Sequence, residues 1–297
     1  MLERQEVFAL VSAFLAGAEK EATSLVAEFE TPLVGPFTLR PHHELPINPF
    51  VFYLLPGVDT QARVLVQSAA EFVGHPPRAA VVFLEGAGYG ATVRGMVEEA
   101  AEAAWPDVEI FSYPRGSMKP AALVAELKQS AIEALFLLVP GEDQAALLRA
   151  AEALAWHTRV FLPVALAGRE IGAAPKRFSG KLFIAVPMLP SDQSQAGARQ
   201  YRDLAAKYEL PMTYRPIQLA TLGAARVLVE GLKRAGRDLS RDRLVEALEG
   251  LYEFETGLTP PVTYGPNRRL AARGAHVMSA DLQRGQFLRT GGWRALR

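Results

Sequence analysis

The fold is decided by residues 79–104, which read AAVVFLEGAGYGATVRGMVEEAAEAA. The apolar run Ala79–Leu84 passes through a glycine-rich turn into the amphipathic pattern Thr92–Ala104. A run that is apolar throughout, without alternating polar residues, is typical of a parallel strand covered on both faces. The stretch therefore predicts a strand, a tight turn and a helix that belong to a parallel α/β sheet.

The same succession of strand and helix patterns runs along most of the chain. Similar apolar runs occupy Val7–Ala13, Pro32–Gly35, Val51–Leu55, Val108–Tyr113, Ala134–Val139, Val160–Ala165 and Leu182–Val186. Helical patterns separate several of them, at Gln61–Phe72, Ala121–Gln129 and Gln144–Trp156. This spacing predicts parallel sheets with right-handed crossovers, and such sheets bind ligands beyond the carboxyl ends of their strands.

Composition argues against several classes of function. The 32 Lys and Arg residues balance the 32 Asp and Glu residues without forming a basic stripe, so no nucleic-acid partner is expected. The chain has no cysteine, which excludes disulfides, Cys-ligated zinc and a thiol nucleophile. We predict no metal site, because His42 and His43 lie in a polar loop pattern without further ligands at a suitable spacing. We expect Arg268, Arg269 and Arg273 to be solvated loop charges.

The glycine-rich turn allows two interpretations. Gly86-x-Gly88-x-x-Ala91, between a strand and a helix, fits the dinucleotide-binding fingerprint, and Glu109 follows at about the distance of a ribose contact. This interpretation predicts an NAD-dependent enzyme. Glu109, however, lies inside its predicted strand, and Glu85 would place a carboxylate beside the pyrophosphate. The second interpretation is that the glycines only form a tight turn between strand and helix.

A resemblance to a known family rests on this turn and on motifs elsewhere in the chain. Val81–Glu85 followed by Gly88-Tyr89-Gly90 resembles the Tyr-Gly helix start of type I periplasmic solute-binding proteins, in the branched-chain amino acid binding family. Further motifs occur in that family's order at Ala16-Gly17, Thr31–Thr38, Pro56–Gln61, Ala224–Leu228, Gly231–Ala235, Asp238–Arg241, Phe254–Gly257 and Pro261–Gly265. The resemblance covers nearly the whole chain and implies a function in solute binding.

The resemblance implies a two-lobed α/β fold, with parallel sheets flanked by helices and three crossovers between the lobes. Lobe one is expected to hold residues 1–74 and 189–258, and lobe two residues 75–188 and 259–297. The family opens with two further strand–helix units, roughly 60 residues, which we expect to be absent here. Lobe one would then leave an apolar face uncovered, which predicts self-association or a rearrangement of the lobes.

By the same resemblance, the ligand binds in a cleft between the lobes. Family members hold a ligand carboxylate with backbone N–H groups at a helix start and with the next loop, and free N–H groups there bind anions whatever the side chain. A tyrosine of lobe two closes over the ligand. The predicted ligand-binding residues are Ala16, Gly17, Ala18, Phe37, Thr38, Tyr89, Gly141 and Val164. The alternatives are that Thr38 only stabilises a turn and that Tyr89 is a half-exposed residue at a helix start.

Two departures from the family pattern bear on the ligand. The family's second aromatic residue falls at Gly141, and the acidic residue that pairs with an α-ammonium group falls at Val164 or Ala165. A desolvated ammonium group without a partner is unfavourable by several kcal/mol. Glu142 and Glu170 are nearby acids that could replace the missing partner. We predict a small carboxylate without an amino group as the ligand, with an amino-acid-like ligand as the alternative.

These implications give one leading hypothesis and two alternatives. The leading hypothesis is the solute-binding component of an ABC-type importer, located in the periplasm, with the membrane permease as partner and with neither a cofactor nor catalytic residues. A native start at Met1 would favour a cytoplasmic ligand-sensing regulator on the same fold. The third hypothesis is the NAD-dependent enzyme, which would use Gly86–Ala91.

Overall fold

The computed structural model describes residues 7–15, 17–42 and 46–296. Contacts between Cα atoms divide the chain into two compact units. Unit 1 contains Met1–Gly57 and Pro187–Arg273, and unit 2 contains Val58–Val186 and Gly274–Arg297. The chain therefore passes from one unit to the other three times, after residues 57, 186 and 273.

Strands and helices alternate over the first two thirds of the chain. The strands are β1 (Leu10–Val11), β2 (Leu33–Val34), β3 (Val51–Phe52), β4 (Ala79–Leu84), β5 (Glu109–Tyr113), β6 (Ala134–Leu138), β7 (Arg159–Pro163), β8 (Leu182–Val186), β9 (Gly274–Asp281) and β10 (Gln286–Ala295). The α-helices are α1 (Glu19–Glu28), α2 (Val58–Val73), α3 (Gly90–Glu102), α4 (Pro120–Gln129), α5 (Gly141–Ala153), α6 (Gln195–Lys207), α7 (Arg215–Ala235) and α8 (Arg241–Glu249). Among the described residues, no helix is long and apolar enough to cross a bilayer.

Unit 1 has a short parallel sheet with the strand order β1-β2-β3. Leu33 lies opposite Leu10 on one side and opposite Val51 on the other. The strands are shorter than the predicted runs, because pairing extends over only two residues in each of them. Gly35, directly after β2, has a φ of +62° and lies against Ala224 of α7, so a residue with a side chain would strain the backbone and collide with the helix.

Unit 2 has a seven-stranded sheet with the order β10-β9-β8-β7-β6-β4-β5. The strands from β4 to β8 pair in parallel, and β9 and β10 are added in antiparallel orientation. Along β6, Leu135 and Leu137 pack into the apolar cluster on one face, while Phe136 packs into the cluster on the other. Phe136 stacks on Phe161 with the ring centroids 5.0 Å apart. Burial on both faces explains why these strands are apolar throughout, and the predicted α/β fold with parallel sheets flanked by helices is confirmed.

The contact units differ from the predicted lobes at three segments, residues 58–74, 187–188 and 259–273. The helix α2 belongs to unit 2, because its buried side chains, among them Val64 and Leu65, pack into one apolar cluster with Phe161 and Phe183 of the large sheet. Residues 259–273 belong to unit 1, where Leu270 bridges in parallel to Tyr53.

The expectation of a solvated Arg269 is wrong, since its side chain is only 2% exposed. The guanidinium group donates to the Glu249 carboxylate at 2.5 Å and to the Gly265 carbonyl oxygen at 2.5 Å. It also lies over the Phe52 ring, 4.6 Å from the centroid. Arg269 therefore belongs to the interior of unit 1, where an ion pair and an aromatic ring replace the water that it loses.

Candidate functional site

In unit 1 the predicted ligand-binding residues lie in the loops that follow β1 and β2. Gly17 has a φ of +85° and is exposed, and Ala18 is the residue that precedes α1. The Ala18 N–H donates to the Leu15 carbonyl oxygen at 2.7 Å. This amide is therefore used inside its own turn, and a ligand contact of Ala18 stays a prediction. Ala16 lies outside the described residues.

The loops at Gly17 and Thr38 meet at the carboxylate of Glu19. The Gly17 N–H donates to Glu19 Oε2 at 3.1 Å, and the Thr38 hydroxyl donates to Glu19 Oε1 at 2.9 Å. The Arg40 guanidinium lies 3.7 Å from Glu19 Oε2. Two of the donors that the sequence assigns to a ligand carboxylate thus hold a carboxylate of the chain itself.

Glu19 is a residue of this loop cluster that the sequence analysis did not single out. It occupies the first position of α1, where a carboxylate is favoured by the free backbone N–H groups and by the helix dipole. Its side chain is 18% exposed, so water solvates it only in part. The available signal was an acid in the first helical turn directly after a turn with free amides.

Thr38 also stabilises its own loop. Its hydroxyl oxygen accepts a hydrogen bond from the Arg40 N–H at 3.0 Å while its O–H donates one to Glu19. A hydroxyl has a single proton, so this donor is fully used. Phe37, the neighbouring residue, is half-buried, and its N–H donates to the Ala13 carbonyl oxygen at 2.8 Å. The alternative interpretation of Thr38 as a turn residue therefore has direct support.

In unit 2 the glycine-rich turn connects β4 to α3. Gly86 and Gly88 have φ values of +72° and +78°, which favour glycine. Tyr89 precedes the helix and is 9% exposed, packed into the apolar cluster on the α2–α3 face of the sheet. The predicted alternative of a half-exposed Tyr89 is wrong, because this packing buries the ring.

The geometry does not support the dinucleotide interpretation of this turn. Glu109 is the first residue of β5 and lies opposite Ala80, near the amino end of β4. Gly86 follows the carboxyl end of β4, roughly 13 Å or more from that position at the rise of a β-strand. Glu109 is instead hydrogen bonded by Ser130 at 2.9 Å and pairs with Arg78 at 3.6 Å. No ribose contact can form between groups at opposite ends of the strands.

Gly141 and Val164 follow β6 and β7 at the same edge of the large sheet. A Cβ atom on Gly141 would lie 2.7 Å from the Gly168 backbone and 2.9 Å from Glu170 Oε2. The space that an aromatic residue would need is therefore filled by the Gly168 loop and by the Glu170 carboxylate. Val164 is 36% exposed.

Four carboxylates follow strands at this edge of unit 2. Glu85 lies in the turn after β4, Glu142 and Asp143 lie in the first turn of α5, and Glu170 lies after β7. Glu85 accepts a hydrogen bond from the Ser112 hydroxyl at 2.7 Å, and Asp143 accepts one from the Tyr113 hydroxyl at 2.8 Å. Burial, followed by the hydrogen bond to Asp143, raises the pKa of Tyr113 well above its usual range. Tyr113 therefore stays a neutral donor at physiological pH.

Each unit contains a cavity lined by described residues. One in unit 1, of about 350 Å³, is lined by residues of α6 and by Leu210, Met212 and Arg215. One in unit 2, of about 610 Å³, is lined by residues of α2, α3 and β10. Neither is lined by a predicted ligand-binding residue. Within the described part of the chain, no group of three or more His, Asp or Glu side chains could hold a metal ion, and His43 lies outside that part.

Comparisons with known proteins agree on one family. The family model described as "Periplasmic binding protein" matches residues 1–286. A branched-chain amino acid ABC transporter protein from Thermus thermophilus with bound valine is similar in structure, with a TM-score of 0.77 and 17% identity over 97% of this chain and 78% of that one. No curated protein matches the chain.

Of two other similar structures, one has no ligand in its name and the other is named for a different ligand class. An ABC transporter substrate-binding protein from Aeropyrum pernix has a TM-score of 0.78 and 18% identity, over 99% of this chain and 78% of that one. A fatty acid ABC transporter substrate-binding protein from Thermomonospora curvata has a TM-score of 0.70 and 17% identity, over 96% of this chain and 75% of that one. At these identities the likeness extends to the fold alone.

Proposed function

Because this chain belongs to the periplasmic binding protein family, whose model matches residues 1–286, we propose that it is the solute-binding component of an ABC-type importer. The family match is the observation that carries the proposal. The fold supports it, since the similar structures include substrate-binding proteins of ABC transporters. Such proteins bind and release a solute without changing it, and we propose no catalytic step for this chain.

We propose an extracytoplasmic location and a membrane permease of the transporter as the partner. Both follow from the family and not from a particular residue of this chain. The NAD-dependent alternative loses its support because Glu109 and Gly86 lie at opposite ends of paired strands.

The solute is proposed to be a small organic molecule. In unit 1 the loops at Gly17 and Thr38 are the candidate contacts, and in unit 2 the loops at Tyr89, Gly141 and Val164. A ligand carboxylate at Gly17 and Thr38, as the sequence predicts, has a competitor there, because both donors bind Glu19. The ligand's charge is therefore a separate question from the function itself.

A thermal-shift screen tests the proposed function. The panel contains amino acids, aliphatic and aromatic acids, their amides and the matching amines, with hits measured by calorimetry. We expect at least one solute to bind saturably and to raise the Tm by an amount that grows with its concentration. NAD is included as a control that should have no effect. Saturable NAD binding, with no response to any solute of the panel, would contradict the proposal.

A further inference from the structure

The carboxylate of Glu19 occupies a position with three polar partners from two loops. The Gly17 N–H and the Thr38 hydroxyl each donate to a different oxygen, at 3.1 and 2.9 Å, and Arg40 adds a positive charge at 3.7 Å. Thr38 lies 19 residues along the chain from Glu19, so the arrangement is a tertiary contact and not only a local turn. These partners form a carboxylate-binding arrangement that is already filled.

A ligand carboxylate could not share this position. The Thr38 O–H already donates a hydrogen bond to Glu19, and so does the Gly17 N–H. A second carboxylate at the same donors would lie within a few ångströms of the first, where like charges repel. Only displacement of the Glu19 side chain would free the donors, and that step would break both hydrogen bonds and the contact with Arg40.

We propose that Glu19 determines ligand specificity by occupying the carboxylate-binding donors of unit 1, so that the transported solute is neutral or cationic at this position. The inference rests on the proposed function in one respect, that a solute binds. The occupation of the donors by Glu19 follows from the geometry alone. It replaces the predicted small carboxylate with a solute that brings no carboxylate to Gly17 and Thr38.

The first test is chemical rescue, which needs no knowledge of the natural solute. Glu19→Ala should leave the Gly17 and Thr38 donors empty, so that acetate can bind them. We expect sodium acetate to raise the Tm of this variant by about 2–4 °C over sodium chloride at the same ionic strength. Acetamide, which has the same shape without the charge, should have no effect. Wild type and Glu21→Ala, an exposed acid of the same helical turn, are the matched controls and should not respond to acetate.

Each outcome of the rescue test decides the proposal. A rise confined to Glu19→Ala and to acetate supports it. An equal response of all three proteins, or none from Glu19→Ala, would overturn it, because the donors would then not form a carboxylate site that Glu19 fills.

The second test measures ligand charge with matched probes, namely isovalerate, isovaleramide, isoamylamine, leucine and leucinamide. Wild type should favour the probes without a carboxylate, and Glu19→Ala should bind isovalerate or leucine at least tenfold more tightly than wild type does. Tight binding of either carboxylate by wild type, unchanged or weakened in Glu19→Ala, would refute the selection by Glu19. If no probe binds either protein, the proposed function loses support while the rescue test still decides the role of Glu19.

Discussion

Replacement of the buried Arg269 by alanine should destabilise unit 1 strongly. The guanidinium group donates to Glu249 and to the Gly265 carbonyl oxygen and lies over Phe52, with only 2% of its side chain exposed. Breaking a buried ion pair costs about 3–5 kcal/mol, and a desolvated cation–π contact contributes about 2 kcal/mol. The Glu249 side chain is 21% exposed and regains water, which reduces the loss. We expect the free energy of unfolding to fall by about 3 kcal/mol and the Tm by about 6–12 °C.

The assay can separate the two units, because Trp105, Trp156 and Trp293 all lie in unit 2. Urea unfolding followed by far-UV circular dichroism reports on both units, whereas tryptophan fluorescence reports on unit 2. For Arg269→Ala the dichroism midpoint should fall well below that of wild type, and the fluorescence midpoint should fall less. Arg273→Ala, an exposed arginine nearby, is the control and should stay within about 0.5 kcal/mol of wild type. Equal effects of the two substitutions would refute the argument from burial.

Three further substitutions, at Gly35, Phe161 and Tyr113, test other contacts of the structure. Gly35→Val should lower the free energy of unfolding, measured in urea, by about 2 kcal/mol or more, because Gly35 has a positive φ and lies against Ala224. An unchanged urea midpoint would contradict this prediction. Phe161→Ala should cost about 3–5 kcal/mol by the same method, since its ring is fully buried among stacked rings; a loss below about 1 kcal/mol would contradict this packing. The raised pKa of Tyr113 means that its neutral form is favoured in the folded state, so its contribution is complete below the unfolded pKa near 10 and is lost as pH rises through the higher folded pKa. Tyr113→Phe should therefore flatten the loss of stability above about pH 10, and identical pH profiles of the two proteins would exclude this cause.

The large sheet could be predicted from the sequence because its strands are buried on both faces. The run Ala79–Leu84 coincides with β4, and Leu182–Val186 coincides with β8. In unit 1 the same kind of pattern predicted a strand over Val7–Ala13, but only Leu10–Val11 pairs. The apolar composition of a segment indicates that the segment is buried. The length of a strand depends instead on how far a neighbouring strand runs beside it, and the sequence of one segment does not give that length.

The candidate site was less predictable, since its key contacts join distant residues. Glu19 contacts Thr38 because two loops come together, and no spacing in the sequence specifies that contact.

The burial of Arg269 is likewise not predictable from its neighbours in the sequence. The sequence predicts a solvated side chain because Arg269 lies in a polar, arginine-containing segment. Its burial depends on Glu249 and Phe52, 20 and 217 positions away along the chain (269 minus 249, and 269 minus 52). Such pairs become visible only when the fold brings them together.

The antiparallel addition of β9 to β8 has a consequence for biosynthesis. Gly274, the first residue of β9, follows Val186, the last residue of β8, by 88 positions (274 minus 186). At about 5–20 residues per second, a ribosome needs roughly 4–18 s to synthesise that interval. During this time the outer edge of β8 presents unpaired backbone groups, which other nascent chains can pair with. Slower translation of the interval should therefore increase aggregation of this protein in the cell, and a chaperone that binds exposed strands should reduce it.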